Sequence, residues 1–190
     1  MEGVGRQRSR RDLPKLDSQP SSVGAVPKRL FDILIATSSL LLLSPVVFLI
    51  ALGVKLTSPG PVLFNHARVG LGRKPFGCLK FRTMVEDAEQ WLRRDTQLNS
   101  VYRENGFKVP TGADPRVTTF GHILRRTHLD ELPQLINVIK GDLSIVGPRP
   151  IVIEELDCFP RPDVDRLLSV RPGIFGLWTG MGQDRVNYPE

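Results

Sequence analysis

Two adjacent carboxylates, Asp130 and Glu131, stand out in the run Arg125-Arg126-Thr127-His128-Leu129-Asp130-Glu131-Leu132-Pro133-Gln134-Leu135. The chemistry such a pair could do is phosphoryl transfer. An aspartate can attack phosphorus and carry the transferred group as an acyl phosphate. A glutamate beside it is a hard oxygen donor, suited to Mg2+ whose other ligands are substrate phosphate oxygens. Arg125 and Arg126 lie just upstream, and a guanidinium grips phosphate through two parallel hydrogen bonds. The local pattern places the pair at the start of a helix over 129–139, with Thr127 or Asp130 as N-cap and Pro133 in the first turn. A helix start presents free N–H groups to an anion. A capped helix with a charged first turn, however, needs no function to explain it. His128 reads as a solvent-facing cap.

These residues need a scaffold, and the chain has the length for one ordinary domain: 190 residues, 41% hydrophobic and 24% charged. A net charge of +6 suits an anionic partner, whether nucleic acid, lipid headgroups or a phosphorylated substrate. The two cysteines, Cys78 and Cys158, form no CxxC pair, which argues against a structural zinc or a disulfide framework. Residues 1–27 read as a flexible arm in which Arg6, Arg8, Arg10, Arg11 and Lys15 are mixed with Gly, Ser, Pro and Gln. It is either a solvated tail or a polybasic segment held at an anionic membrane surface.

From Ile33 to Val54 no residue is charged, a stretch of about the length of a membrane-spanning helix. Ser44-Pro45 falls near its centre. Proline removes a helix hydrogen bond, and serine can satisfy the carbonyl this frees. Positive residues mark the cytoplasmic side of a membrane segment. Here both flanks are positive: the arm before, and Lys55, Arg68, Arg73, Lys74, Lys80 and Arg82 after, with no acid between 55 and 82. The expectation is therefore a re-entrant helix over 28–56 that enters and leaves on one face, against the simpler reading of a kinked span.

The rest, 57–190, reads as a mixed α/β unit, mainly helical. Pro59-Gly60-Pro61 is a turn, and Val62-Leu63-Phe64 opens a short strand. Residues 68–77 are turn-rich, and 78–84 alternate as a strand. Residues 86–102 carry Ala88, Trp91, Leu92 and Leu98 at helical spacing. A loop over 105–118 leads to a short basic helix over 120–126 and the apolar helix over 129–139. A loop follows over 141–150, then an acidic helix over 151–168 interrupted by Pro160 and Pro162.

Taken together, the blocks resemble a known family, the small monotopic form of the bacterial sugar transferases (polyprenyl-phosphate glycosyl-1-phosphate transferases). The resemblance covers about residues 27–178 and rests on ordered pieces. They are Lys28-Arg29-Leu30-Phe31-Asp32, Ser44-Pro45, Thr57-Ser58-Pro59-Gly60-Pro61-Val62, Arg68-Val69-Gly70 and Leu79-Lys80-Phe81-Arg82-Thr83-Met84. After these come Asp114-Pro115-Arg116-Val117-Thr118, Leu129 to Leu135, Gly141 to Pro150, and Arg171-Pro172-Gly173-Ile174. The resemblance implies that Asp130 is the nucleophile and Glu131 the Mg2+ ligand. It also implies that Lys80, Arg125 and Arg149 handle substrate phosphates, and that Ser44 and Pro45 turn the membrane helix back on itself. Read from residue type alone, Lys80 is equally an exposed strand residue and Arg149 a surface loop residue.

The function implied is transfer of a sugar 1-phosphate from a nucleotide diphosphate sugar, a UDP-sugar by family habit, to polyprenyl phosphate through a covalent aspartyl intermediate. This would start a surface glycan or exopolysaccharide. Its place would be the bacterial inner membrane, with the catalytic domain facing the cytoplasm. The chain departs from the family after Leu177-Trp178: Gln183 stands where an arginine is usual, and the chain stops at Glu190, where the family continues. The expectation there is a truncated C-terminus. It leaves open a non-catalytic membrane scaffold or degenerate copy with the same fold. A basic nucleic-acid-binding protein accounts for the charge, but not for the uncharged apolar run, and no stacking aromatic pattern is present. Oligomeric state is not legible.

Overall fold

The computed structural model describes residues 25–105, 109–110, 112–158 and 160–176. The basic arm over 1–24 and the altered run 177–190, with Gln183 in it, lie outside the described residues.

The apolar run forms two helices, α1 (Ala25–Leu42) and α2 (Ser44–Thr57), bent at 65° to each other. The break has a local cause. In an unbroken helix the Leu41 carbonyl would accept from the N–H of residue 45, which proline lacks. The Ser44 hydroxyl donates to the Leu41 oxygen instead, at 2.8 Å. Pro45 itself sits in the first turn of α2, where a missing N–H costs nothing. Neither helix alone is long and apolar enough to cross a membrane, but the bent pair passes that test together.

Both arms lie on the rest of the chain. Ala36 of α1 packs with Leu135, Val138, Leu143 and Ile145, and Ile50 and Val54 of α2 pack with Phe81 and Leu124. The base of α1 is latched in polar fashion. Asp32 is 3% exposed and accepts from the Ser144 hydroxyl at 2.8 Å and the Ile145 N–H at 3.0 Å. Lys28 donates to Asp32 at 3.3 Å. Arg29 donates to the carbonyls of Val138 and Ile139 at the end of a helix, the first of which also accepts from the Gly141 N–H at 3.1 Å. The opposite side of the pair leaves Leu30, Phe31, Leu34, Leu41, Leu42, Phe48, Leu49, Leu52 and Leu56 exposed.

Next come strands β1 (Leu63–Val69) and β2 (Pro75–Phe81), antiparallel, with Leu63 opposite Phe81 and Val69 opposite Pro75. The strand expected over 78–84 thus starts and ends three residues earlier. Only residues 70–74 make the turn, where Gly72 and Arg73 take positive φ (65° and 63°). The strand ends as Met84 bridges Val117 instead. The single helix expected over 86–102 is two, α3 (Ala88–Arg94) and α4 (Thr96–Glu104). Asp95 between them is extended, and its carboxylate accepts from the Leu98 N–H at 2.9 Å, so it caps the second helix.

Helix α5 (Thr119–Thr127) starts at the Thr118 hydroxyl, which accepts from Gly121 N–H at 2.9 Å, and ends at His128 in the left-handed region (φ 57°). The expectation of a regular helix from 129 is not met. Residues 129–131 form a 3-10 turn, and α6 begins only at Gln134 (Gln134–Lys140). The bonds from Glu131 N–H to His128 O and from Leu132 N–H to Leu129 O span three residues, and Pro133 has no N–H to continue them. Strand β3 (Ser144–Val146) lies within the expected loop and pairs in parallel with β4 (Gly173–Phe175). Between them are a 3-10 segment, Ile153–Cys158, and α7 (Arg161–Leu168), whose first turn accommodates Pro162. The expected class, mixed α/β and mainly helical, is the one observed.

Candidate active site

Strand β2 and the 3-10 turn before α6 bring the first two site residues together. Lys80 Nζ meets Glu131 Oε1 at 2.5 Å, with both side chains partly exposed. The relative placement of strand and turn is fixed by Asn137 on α6, which is 1% exposed. Its carboxamide pairs with the open edge of β2 as a neighbouring strand would. The Leu79 N–H donates to Asn137 Oδ1 at 2.9 Å, and Asn137 Nδ2 donates to the Gly77 carbonyl at 2.7 Å.

Asp130 is 7% exposed and lies on the same turn. It makes no side-chain cap to a helix, so the N-cap role open to it in the sequence is not used, nor is one by Thr127, whose hydroxyl donates back to the Ile123 carbonyl at 2.9 Å. Arg125 reaches the same region from the last turn of α5, donating from Nε to the Thr83 hydroxyl at 2.9 Å. That approach requires a glycine at 121, since a Cβ there would stand 2.1 Å from the Thr83 carbonyl oxygen. A buried bidentate pair, Arg116 to Asp114 at 2.8 Å, acts on Arg125, Asp114 favouring its charge and Arg116 opposing it.

The surroundings push the two carboxylates in opposite directions. Burial raises the Asp130 pKa, with Glu131 adding to the rise and Lys80 and Arg125 opposing it. Burial would also raise Glu131, but the Lys80 ammonium overrides it, helped by His128 and Gln134, and the net shift is downward. Two adjacent acids with diverging pKa values are suited to different tasks.

Arg149 is not in this immediate group. It lies 4.0 Å from the Glu155 carboxylate and beside Arg68, whose guanidinium donates to the Pro150 carbonyl at 3.1 Å and to His66 Nδ1 at 3.3 Å. His66 is held neutral, its pKa lowered to about 3 by burial and then by Arg68, Lys80 and Arg149. Lys80 therefore joins two cationic groups: one with Arg125 at the dyad, one with Arg68 and Arg149. In the sequence Arg68 and Thr83 stand out only as parts of the family-like blocks, Arg68 also as a flanking charge, and His66 and Asn137 not at all. Asn137 had a signal, a carboxamide between Ile136 and Val138 on a helix that must be buried. Arg68 and His66 alternate on β1 and so share a face.

Residues 23–190 match the family described as bacterial sugar transferase. Exopolysaccharide production protein ExoY of Rhizobium meliloti is 42% identical over 177 residues, which are 93% of this chain and 78% of that protein. The chain belongs to the bacterial sugar transferase family. This membership carries the enzyme class expected from the sequence, a phosphoglycosyl transferase. Two other members of this family are longer. Undecaprenyl-phosphate galactose phosphotransferase of Salmonella typhimurium is 44% identical over 165 residues, 85% of this chain and 34% of that protein. UDP-glucose:undecaprenyl-phosphate glucose-1-phosphate transferase of Escherichia coli is 43% identical over 167 residues, 86% and 33% respectively. In the sugar transferase frame, Asp130, Glu131, Lys80 and Arg125 form one cluster, with Arg149 in the adjoining one.

Proposed function

We propose that this transferase moves a sugar 1-phosphate from a nucleoside diphosphate sugar, a UDP-sugar in the first instance, to polyprenyl phosphate. Asp130 is the covalent carrier, and the reaction starts a surface glycan or exopolysaccharide at the cytoplasmic face of the bacterial inner membrane. The observation that carries this reading is the buried Asp130 beside Glu131, which Lys80 meets at 2.5 Å, with Arg125 reaching the same region from the end of α5. The names of the relatives from Salmonella and Escherichia support the lipid acceptor, and the second supports a UDP-linked donor.

In the first step a carboxylate oxygen of Asp130 attacks the phosphorus that bears the sugar. The bond from that phosphorus to the bridging oxygen breaks, and nucleoside monophosphate leaves with the electron pair. In the second, a phosphate oxygen of the polyprenyl phosphate attacks the same phosphorus, a diphosphate forms, and the Asp130 carboxylate is restored. The raised pKa makes Asp130 the more basic and better nucleophile of the two acids. Arg125 and Lys80 offset the charge that gathers on the phosphoryl oxygens.

Glu131 stays ionised and partly open, which suits it to be a hard oxygen ligand. Among the described residues no cluster of three His, Cys, Asp or Glu side chains could hold a metal. Mg2+ is commonly bound through one or two carboxylates and the substrate phosphates, and Glu131 would supply one such carboxylate. When bound it would neutralise charge on the diphosphate, and Lys80 would then be freed toward phosphate.

The bent helix pair supports a re-entrant seat in the bilayer. The latch at Lys28, Arg29 and Asp32 and the run of α2 into β1 attach both ends to the same domain. Its outer face is apolar.

The test is donor labelled in the sugar, added without acceptor and followed by intact mass. Wild type gains the mass of one sugar phosphate and releases nucleoside monophosphate, whereas Asp130→Asn gains none and loses turnover by at least about a thousandfold. A fully active Asp130→Asn enzyme overturns the assignment.

A further inference from the structure

Arg125 reaches the dyad from the last turn of α5, but the group that aims it lies on another element. Its Nε donates to the Thr83 hydroxyl at 2.9 Å. A guanidinium can offer phosphate either of two edges: Nε with one terminal nitrogen, or the two terminal nitrogens together. With Nε held by Thr83, the edge left open is the end, Nη1 and Nη2. Among the described residues these two nitrogens have no hydrogen-bond partner, and Arg125 forms no ion pair. Asp114 and Asp130 nonetheless both favour its charge. Asp114 is occupied by the fork of Arg116. Among the described residues Asp130, the proposed nucleophile, is in no such pair. A guanidinium freed from Thr83 would swing onto Asp130, and a bidentate bond there covers the oxygen that must reach phosphorus.

Thr83 is 6% exposed and is fixed from both sides. The residue before it, Arg82, donates to the Ser58 carbonyl at the end of α2, at 2.7 Å. The residue after it, Met84, bridges Val117. The Thr83 carbonyl accepts from the N–H of Thr118, the N-cap of α5, at 2.9 Å. Side chains on a helix lean toward its N-terminus, so Arg125 points back along α5 to the same residue. Thr83 therefore meets the start of α5 with its backbone and the last turn with its side chain. The reach of Arg125 is set between these two points rather than left to a free rotamer.

We propose that Thr83 is a positioning residue for the transfer: it holds Arg125 by Nε, keeps the guanidinium off Asp130 and turns the two terminal nitrogens toward the diphosphate of the donor. This rests on the transfer reaction proposed above. Thr83 acts through Arg125 and not on substrate. A serine supplies the same acceptor, and a valine has the same branched shape without it.

The experiment uses the full chain in detergent with Mg2+ and reads two quantities. One is affinity for inorganic pyrophosphate, which carries the donor's diphosphate without base or sugar, by calorimetry. The other is the rate of sugar-phosphate adduct formation. Thr83→Val should weaken pyrophosphate about tenfold and slow the adduct by at least as much, the loss of one hydrogen bond to a charged group. Thr83→Ser keeps the acceptor and should stay within about threefold of wild type in both. In an Arg125→Ala background Thr83→Val should change neither quantity further, because the two residues act as one unit. Equal losses in both backgrounds, or a serine as weak as the valine, overturn the proposal and leave Thr83 a residue of the fold. Thr83→Val retains the carbonyl that holds Thr118, and Thr83→Ala runs the same cycle should the valine not fold. Coupling in pyrophosphate binding with no adduct on wild type ends the transfer reaction and keeps the role of Thr83. An adduct on wild type, with binding and rate unchanged by Thr83→Val, does the reverse.

Discussion

At the scale of single residues, the site works by giving chemically similar groups unlike surroundings. Glu131 is kept ionised by Lys80, and its proposed task is to be an oxygen ligand. An amide is a poorer hard donor than a carboxylate. Glu131→Gln should therefore lose about a hundredfold or more in kcat/KM with Mg2+ present. Wild type should stop in excess chelator and recover on adding Mg2+. Initial rates of nucleoside monophosphate release measure both, and undiminished turnover in chelator rejects the metal. His66 shows the opposite control. A guanidinium can only donate, so the contact with Arg68 requires an unprotonated Nδ1. Its folded pKa of about 3 lies below the 6.5 of the free side chain, so between these values the unfolded chain binds the extra proton. Stability from this residue is complete above pH 6.5 and is lost as pH falls toward 3. His66→Gln should lack that slope. Unfolding followed in detergent across this range compares the two, and parallel curves would show that His66 does not titrate this way.

At the scale of elements, one buried amide holds the two halves of the site in register. Asn137 satisfies an N–H and a carbonyl on the edge of β2, the strand that carries Lys80. Asn137→Leu leaves both without a partner and should cost about 2–4 kcal/mol. The same change should raise KM for the donor before the protein unfolds, because Lys80 and Glu131 lose their common reference. Denaturant unfolding and donor titration on one preparation check this, and a variant as stable as wild type would dismiss the bridge. Much of this level was legible beforehand. The break at Ser44-Pro45 and the mixed class follow from proline chemistry and apolar spacing. The setting of the dyad was not legible. A helix start and a 3-10 turn share Pro133 and the same acids, and only the left-handed backbone at His128 separates them. Likewise, nothing in the local pattern of 86–102 tells whether Asp95 lies within one helix or caps a second. Arg68 and His66 could be placed on one face of a strand, but not against the Pro150 carbonyl, because that contact joins residues 82 apart in the chain.

At the scale of the molecule, the polar site and the apolar helices share one small unit, so the proposed chemistry and membrane seating would be set by the same packing. A re-entrant seat makes a definite topological statement: Ala25 and Thr57 lie on one side of the bilayer. Single cysteines at these positions should react with an impermeant maleimide from the cytoplasmic side alone, with Cys158 replaced by serine. Cys78 stays silent, since it is buried and its thiol is pushed up to about 11. Reaction of the two positions from opposite sides rules the hairpin out. Pro45→Leu restores a donor for Leu41 O and should shift labelling toward that second pattern.

The latch at the foot of α1 also has a timetable. Asp32 is buried by partners 112 and 113 positions further along the chain. At about 5–20 residues per second, those partners leave the ribosome roughly 6–23 s after Asp32 does. For most of that interval the helix pair has been synthesised, and the ion pair its anchoring carboxylate makes is with Lys28, four residues away. On the re-entrant reading proposed above, the apolar hairpin would meet the bilayer before the residues that latch it have been made. Lys28, one helical turn before Asp32, is the local partner that would offset its charge in that interval.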